Sequence, residues 1–177
     1  MMLNEKKNGI AALALLALAC GGIPGQAMAQ EDDAAAEAEA PQGIPWDTSC
    51  TQLARADEPD CEMSQIVIVP QSRQVLLRIE IEVPGDGSGT RMVLRLPHGL
   101  YLPDGVTLDV DESAWRDTEV QTCDGQGCYA FFPLDEDGLR RLRRGNELGV
   151  SFRSLSREPM RIPVNLEGFT EAYGKIR

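Results

Sequence analysis

The stretch that decides the fold is Cys123-Asp-Gly-Gln-Gly-Cys128, which continues into Tyr129-Ala-Phe-Phe-Pro-Leu134. Two glycines between two cysteines predict a tight reversal of the chain, because glycine adopts the backbone conformations that sharp turns need. The aromatic run that follows predicts a strand. The next segment, Asp135 to Arg144, begins with three carboxylates and ends with four arginines in its last five residues. This order of charges complements a helix dipole and predicts one short helix.

Alternation of apolar and polar residues predicts that the rest of the domain consists of strands. From Gln74 to Val83 every second residue is apolar, and Leu76 is the one apolar residue out of phase. A period of two places one face of a strand in the core and the other in solvent. The same period recurs in Met92-Leu94-Leu96, Val106-Leu108-Val110, Leu148-Val150-Phe152 and Ile162-Val164-Leu166, and Glu62 to Val69 is a more continuous apolar run. Turns rich in glycine and proline join these segments. They predict an all-β domain, an antiparallel β-sandwich or a partly closed barrel, with one short α-helix.

The beginning of the chain has the pattern of a secretory signal peptide. Two lysines precede an apolar run over residues 10–19, and Ala27-Met-Ala29 has the small-residue spacing of a cleavage site. We therefore expect residues 1–29 to be removed and the mature chain to begin at Gln30. The apolar run is far shorter than the roughly 18 residues of a membrane-spanning helix, so we expect no such span in the mature chain.

Cys20 leaves a second interpretation of the same segment open. It stands after small residues at the end of the apolar run, where a lipoprotein would carry its lipid anchor. Both interpretations place the protein outside the cytoplasm, in the periplasm or at the outer membrane or cell surface of a Gram-negative bacterium.

Residues 30–43 predict an acidic, disordered spacer before a β-rich domain over residues 44–177. The spacer holds five carboxylates, alanines and a proline, and no large apolar side chain. The chain has a formal charge of −11, and the signal segment carries two lysines and one glutamate, which leaves −11 − 1 = −12 for the mature chain. Such a charge argues against a nucleic-acid partner.

Four cysteines remain once the signal segment is removed, and four cysteines allow three pairings. The glycines between Cys123 and Cys128 let these two approach, and a turn precedes Cys61, which brings it back towards Cys50. We therefore predict the disulfides Cys50–Cys61 and Cys123–Cys128. Export favours disulfides over zinc, and these spacings are not those of paired zinc knuckles.

Several short motifs follow one another in a fixed order along the domain. They are Trp46 before Cys50, Cys61 before a strand, Leu96-Pro-His-Gly-Leu100, Leu102-Pro-Asp-Gly105, Cys123 with Gly127-Cys128-Tyr-Ala130, Leu139 to Gly145, and Leu166-Glu-Gly-Phe-Thr170. In this order they resemble the invasion-associated locus B family of secreted alphaproteobacterial proteins, and the resemblance covers about residues 44–173. The segment Asp109 to Trp115 departs from the family pattern, because it lacks the glycine turn expected after the leucine-rich strand. The resemblance implies an envelope component, and a role in host-cell invasion is not transferable from it.

No catalytic, cofactor or metal site is predicted. The one histidine, His98, lies in a Pro-His-Gly turn and is expected at the surface. Asp109-Val-Asp-Glu-Ser113 resembles the start of a calcium loop, but Ala114 stands where glycine is needed and Val120 where the closing glutamate is needed. Asp135-Glu-Asp-Gly138 fails as a calcium loop in the same way.

Two classes of function follow. The first is an exported, non-enzymatic cell-envelope protein that binds a protein or glycan partner through its surface. The alternative is a periplasmic thiol-disulfide enzyme that uses Cys123 and Cys128. The first is favoured, because redox-active cysteines usually have two residues between them and lie at a helix start, where the thiolate is stabilised.

Overall fold

The structure, a computed structural model, describes residues 40–52 and 58–177. The signal segment with Cys20, the spacer up to residue 39 and the first residue of the turn before Cys61 lie outside the described residues. The elements in chain order are β1 (Gln42–Gly43), β2 (Asp47–Thr51), β3 (Asp60–Val69), β4 (Gln74–Val83), β5 (Arg91–Leu96), a 3-10 helix (Leu102–Asp104), β6 (Val106–Val110), β7 (Ser113–Thr118), β8 (Thr122–Cys123), β9 (Cys128–Pro133), α1 (Glu136–Arg144), β10 (Glu147–Arg153), β11 (Pro159–Asn165) and α2 (Phe169–Lys175).

The strands form two antiparallel sheets. The large sheet has the order β1-β3-β4-β5-β9-β8, and β2 pairs with β3 beside β1; the small sheet has the order β11-β10-β6-β7. Apolar side chains from the inner faces of both sheets form one core. The predicted all-β class is confirmed, as a sandwich of two sheets, and the described strands do not close into a barrel.

The alternation in β4 appears as predicted, and the residue out of phase has a structural cause. Leu77, Ile79 and Ile81 are fully buried. The pairing with β3 shifts by one residue at the end of the strand, because Val67 lies opposite Leu77 while Ile68 lies opposite Val75. Leu76 is therefore the extra residue of a β-bulge. Beyond the bulge Val75 is 41% exposed, although the alternation predicted it in the core.

Helix α1 lies where the charge pattern predicts it. The carboxylate of Asp135 caps the helix and accepts a hydrogen bond from the backbone N–H of Gly138 at 2.8 Å. Leu139 and Leu142 point into the core, and the helix ends at Arg144.

A second helix, α2, corrects the prediction of one helix. It has seven residues, too few for a clear periodic signal, and its capping residue Gly168 has a left-handed backbone (φ 80°). Phe169, Ala172, Tyr173 and Ile176 are buried at helical spacing. A helix this short gives too few repeats of that spacing to be recognised from the sequence.

The segment Asp109 to Trp115, which lacks the glycine expected from the family pattern, contains the turn between β6 and β7. Asp111 and Glu112 both adopt positive φ, 48° and 63°. Aspartate tolerates this region better than most residues. The Asp111 carboxylate also accepts hydrogen bonds from the backbone N–H groups of Asn146 and Glu147, each at 3.0 Å. These bonds hold a turn that glycine would otherwise form.

The sheet begins earlier than the predicted domain boundary. Gln42 and Gly43, the last residues of the predicted spacer, pair with Ile68 and Val67 of β3. Backbone hydrogen bonding therefore extends two residues into the segment that composition alone marks as a spacer.

Ile79→Asp should unfold the domain, because a lone carboxylate in the core costs several kcal/mol against a total stability of about 5 to 15 kcal/mol. Gln74→Asp, at the exposed start of the same strand, is the matched control and should change stability little. Urea unfolding followed by circular dichroism measures both. Equal losses in the two variants would mean that the register of β4 is wrong.

An arginine on the outer face of the small sheet spans three strands. Arg161 of β11 donates to both carboxylate oxygens of Asp109 of β6, at 3.1 and 2.7 Å, and to Glu147 at 2.8 Å. Gly149 of β10 lies between them, and a Cβ there would collide with the Asp109 carboxylate and the Arg161 guanidinium. The hydrogen bond from Arg161 lowers the pKa of Asp109 from its ordinary value.

Asp109 should therefore make stability depend on pH in the acidic range. A folded-state pKa below the unfolded one contributes stability above the unfolded pKa of about 4, and this contribution is lost as pH falls through the lower folded value. Asp109→Asn should lower the free energy of unfolding at pH 7, and its difference from wild type should shrink as the pH falls below the unfolded pKa of about 4. Asp117→Asn, exposed on β7, is the control. A difference that stays constant with pH would contradict the assignment.

Candidate functional site

The four cysteines form the two predicted disulfides. Cys50 of β2 is bonded to Cys61 of β3, and Cys123 of β8 to Cys128 of β9. In each pair the cysteines lie directly opposite one another in the antiparallel ladder, with Cα atoms 4.0 Å apart. The two bonds lie at opposite sides of the large sheet, so each fixes a short edge strand to its longer neighbour.

The hairpin between Cys123 and Cys128 is organised by Asp124, which the sequence analysis did not single out. Its carboxylate accepts hydrogen bonds from the backbone N–H groups of Gln126 and Gly127 and from the Tyr129 hydroxyl. The bond from Gln126 is the main cause of a lowered pKa for Asp124. Nε2 of His98 donates to the Asp124 carbonyl oxygen at 2.7 Å. The histidine thus fastens the hairpin tip, and within the described residues no nucleophile is hydrogen-bonded to it.

The cysteines of this hairpin have the surroundings of a structural disulfide. Cys128 is 4% exposed, Cys123 is exposed, and both lie on strands. Neither has the helix N-terminus that stabilises a reactive thiolate in redox enzymes. No observation in the described part of the chain favours the thiol-disulfide alternative.

Within residues 40–52 and 58–177, no three acidic, histidine or cysteine side chains come together so as to hold a metal ion. Neither described helix has the length and apolar character to cross a bilayer.

The outer face of the large sheet carries charges that are largely paired with each other. Arg78 is bonded to Glu80 at 2.6 Å, and Arg91 is bonded to Glu82. At the β9 side Tyr129 and Phe131 stack in parallel with ring centroids 6.1 Å apart. These two arginines and two glutamates therefore have their ionic partners within the chain.

Two buried polar atoms, one on Trp46 and one on Gln65, lack a hydrogen-bond partner in the described part of the chain. Nε1 of Trp46 and Oε1 of Gln65 are both buried, and neither has a hydrogen-bond partner among the described residues. Gln65 is 4% exposed and lies on the same face of β3 as buried Met63 and Val67. Asp47 pairs with Ser64, and Trp46 and Gln65 are the residues that adjoin this pair in the sequence.

Trp46 is held in place by helix α2. Its indole contacts the Phe169 ring edge to face, with centroids 5.3 Å apart, and Phe169 stacks on Tyr173. Gly168 lies beside the edge of the indole that bears the N–H, because a Cβ there would be 4.0 Å from Cδ1, the atom bonded to Nε1. The left-handed backbone at Gly168 turns the chain into α2 at this point. The helix thus fixes the orientation of the indole.

Trp46, Gln65 and Gly168 line one pocket of about 440 Å³. Gly43 and Gln65 form one part of its wall, with Gly43 so close that a Cβ would lie 3.4 Å from the Gln65 carboxamide. Trp46 and Gly168 form another part. Its remaining lining includes the polar side chains Asn165, Glu167, Glu171 and Lys175.

An unpartnered polar atom in a protein interior carries an energetic cost. Leaving a buried donor or acceptor unbonded costs about 1 to 3 kcal/mol for each group. The described core is otherwise apolar except for Ser64. A donor and an acceptor without partners, on two residues that line the same pocket, are features of a binding site. We therefore take this pocket, defined by Gly43, Trp46, Gln65, Asn165 and Glu167 and called the Trp46 pocket below, as the candidate functional site.

Sequence reasoning identified Trp46 as part of a motif and missed Gln65. A glutamine in a strand normally lies on the solvent-exposed face. In β3, however, both faces carry apolar residues, Ile66 and Ile68 on one and Met63 and Val67 on the other. Alternation alone therefore did not assign a face to Gln65.

Comparison with known proteins agrees with the sequence motifs. The family model described as invasion associated locus B (IalB) protein matches residues 46–177. Two proteins named invasion protein B homolog, from Brucella abortus strain 2308 and from biovar 1 strain 9-941, are each 30% identical over 133 residues, which is 75% of this chain and 75% of each relative. The crystal structure of invasion associated protein b from Bartonella henselae superposes with a TM-score of 0.64 at 23% identity, over 74% of this chain and 89% of that one. The chain belongs to the invasion associated locus B family.

Proposed function

We propose that the protein is an exported, non-enzymatic component of the bacterial cell envelope that binds a partner, protein or glycan, through the Trp46 pocket. The observation that carries this proposal is the buried N–H of Trp46 and the buried carbonyl of Gln65, both unbonded in one pocket. A partner group that bonds to both removes a cost that the free protein bears.

Export is supported by features in separate parts of the chain. The signal-like segment precedes a domain with two disulfides, and disulfides persist in oxidising compartments such as the periplasm. The names of the Brucella and Bartonella relatives refer to invasion. Binding of an envelope partner needs no host, so the proposal does not include a role in invasion.

Capture from the envelope tests the binding function. The mature chain, from Gln30 on, is immobilised and exposed to periplasmic and outer-membrane fractions, alongside the variants Gln65→Leu and Gln71→Leu. Gln71 lies in an exposed turn and is the matched control. We expect the wild type and the control to retain a molecule that Gln65→Leu loses. Equal retention by all three, or by none, would refute binding through this pocket.

Location is tested on the cell itself. Fractionation should find the protein in the envelope, and mass spectrometry should find Gln30 as its first residue. A lipid-modified Cys20 as first residue would replace cleavage at Gln30 by the lipoprotein interpretation. A cytoplasmic protein with its first residues intact would refute export.

Gln65→Leu should also stabilise the protein in the absence of a partner. The substitution replaces an unbonded buried carboxamide with an apolar side chain of similar size, and the free energy of unfolding should rise by about 1 to 3 kcal/mol. Gln71→Leu should stay within about 0.5 kcal/mol of wild type. Urea titration measures both. A loss of more than about 1 kcal/mol in Gln65→Leu would show that the carboxamide is bonded in the folded protein.

A further inference from the structure

We infer that the ligand of the Trp46 pocket is a neutral carbohydrate, bound through its hydroxyl or acetamido groups. This inference rests on the proposed function and names the chemistry of the partner. It follows from three properties of the pocket, which are the pairing of one donor with one acceptor, the charge of its rim and the orientation of its indole ring.

The donor and the acceptor together select the ligand group. Nε1 of Trp46 can only donate, and Oε1 of Gln65 can only accept. Because Trp46 and Gln65 line the same pocket, a ligand whose groups both accept and donate can satisfy both atoms. A hydroxyl does this with one oxygen, and an acetamido group does it with its carbonyl and its N–H.

The charge of the rim selects against ionic ligands. Lys175 is already paired with Glu171 at 2.9 Å. Glu167 has no cationic partner among the described residues, so an anionic ligand would meet an uncompensated carboxylate. A sulfate, which has no donor, would also leave the Gln65 oxygen unbonded. A neutral ligand with several hydroxyl groups can donate one to the Gln65 carbonyl and another to the Glu167 carboxylate.

The rim offers further groups suited to a polyhydroxylated ligand. The Asn165 side-chain oxygen is occupied by the backbone N–H of Glu167, at 2.8 Å. Its NH₂ group therefore remains as a donor at the rim, next to the Glu167 acceptor. Donors and acceptors at several positions fit a ligand that carries several hydroxyl groups.

The indole of Trp46 provides an apolar surface next to these polar groups. The half-buried indole packs against Phe169 at an interplanar angle of 85°, and Trp46 also lines an adjacent pocket of about 510 Å³ together with Ser49, Glu62 and Ser64. Trp46 therefore contributes to the lining of both pockets. Packing against Phe169 already restricts the Trp46 ring, so the ring loses little conformational freedom when a ligand packs on it.

Isothermal titration calorimetry of the mature chain tests the inference with defined probes. These are maltotetraose, tetra-N-acetylchitotetraose and the uncharged peptide acetyl-tetraglycine amide, each titrated to about 10 mM, which covers weak binding near 1 mM. The variants are Gln65→Leu, Trp46→Phe and the control Gln71→Leu. Phenylalanine keeps a ring against Phe169 and removes the N–H donor.

We expect at least one tetrasaccharide to bind, and each pocket variant to weaken its affinity about 10-fold, the effect of one lost hydrogen bond. Gln71→Leu should bind as the wild type does. Absence of binding by both saccharides, or saccharide binding that Gln65→Leu leaves unchanged, would overturn the inference. Binding of the peptide alone, sensitive to Gln65→Leu, would overturn it while the proposed function stands. If no probe binds and no molecule is captured from the envelope, both the carbohydrate inference and the proposed function are refuted.

Discussion

The pairing of β3 with β4 is the constraint on which the rest of the structure depends. These two ten-residue strands lie side by side in the large sheet, and their inner faces carry Met63, Val67, Leu77, Ile79 and Ile81, all fully buried. A slip of one residue would exchange this face for the charged one, so burial fixes the register. The disulfides then hold β2 and β8 to the same sheet, and α2 packs against Trp46 at the β2 side. Gln65 is the polar interruption in this otherwise apolar face.

That interruption links stability to binding. A buried carboxamide without a partner lowers stability, and a protein tolerates such a cost where a ligand offsets it. Trp46 directly precedes β2, and the Cys50–Cys61 bond holds β2 to β3, the strand that carries Gln65. The donor and the acceptor are therefore fixed before a ligand arrives, and preorganisation of this kind reduces the entropy lost on binding. The outer face of the large sheet differs from the pocket, because Arg78 and Arg91 there are already paired with Glu80 and Glu82.

The sequence was sufficient for features that depend on local pattern. Alternation located β4 because its charged and apolar residues separate cleanly, and the charges of Asp135 to Arg144 located α1. Two cysteine pairs were predictable because each closes a short turn. Features that depend on tertiary context were missed. The seven residues of α2 are too few to show a period, the Asp111-Glu112 turn forms without glycine because Asn146 and Glu147 bond to Asp111, and Gln65 is assigned to the core face by its neighbours across the sheet.

The state of the Trp46 indole N–H tests the central claim most directly. In a ¹⁵N–¹H correlation spectrum the two tryptophans give separate indole signals, and Trp115, packed on Phe132, serves as an internal reference. The account predicts that the Trp46 signal has the shift of an unbonded N–H in the free protein and moves downfield when tetra-N-acetylchitotetraose or maltotetraose is added, while the Trp115 signal stays in place. A Trp46 signal that already has the shift of a hydrogen-bonded N–H in the free protein, and does not move on addition of either saccharide, would contradict it.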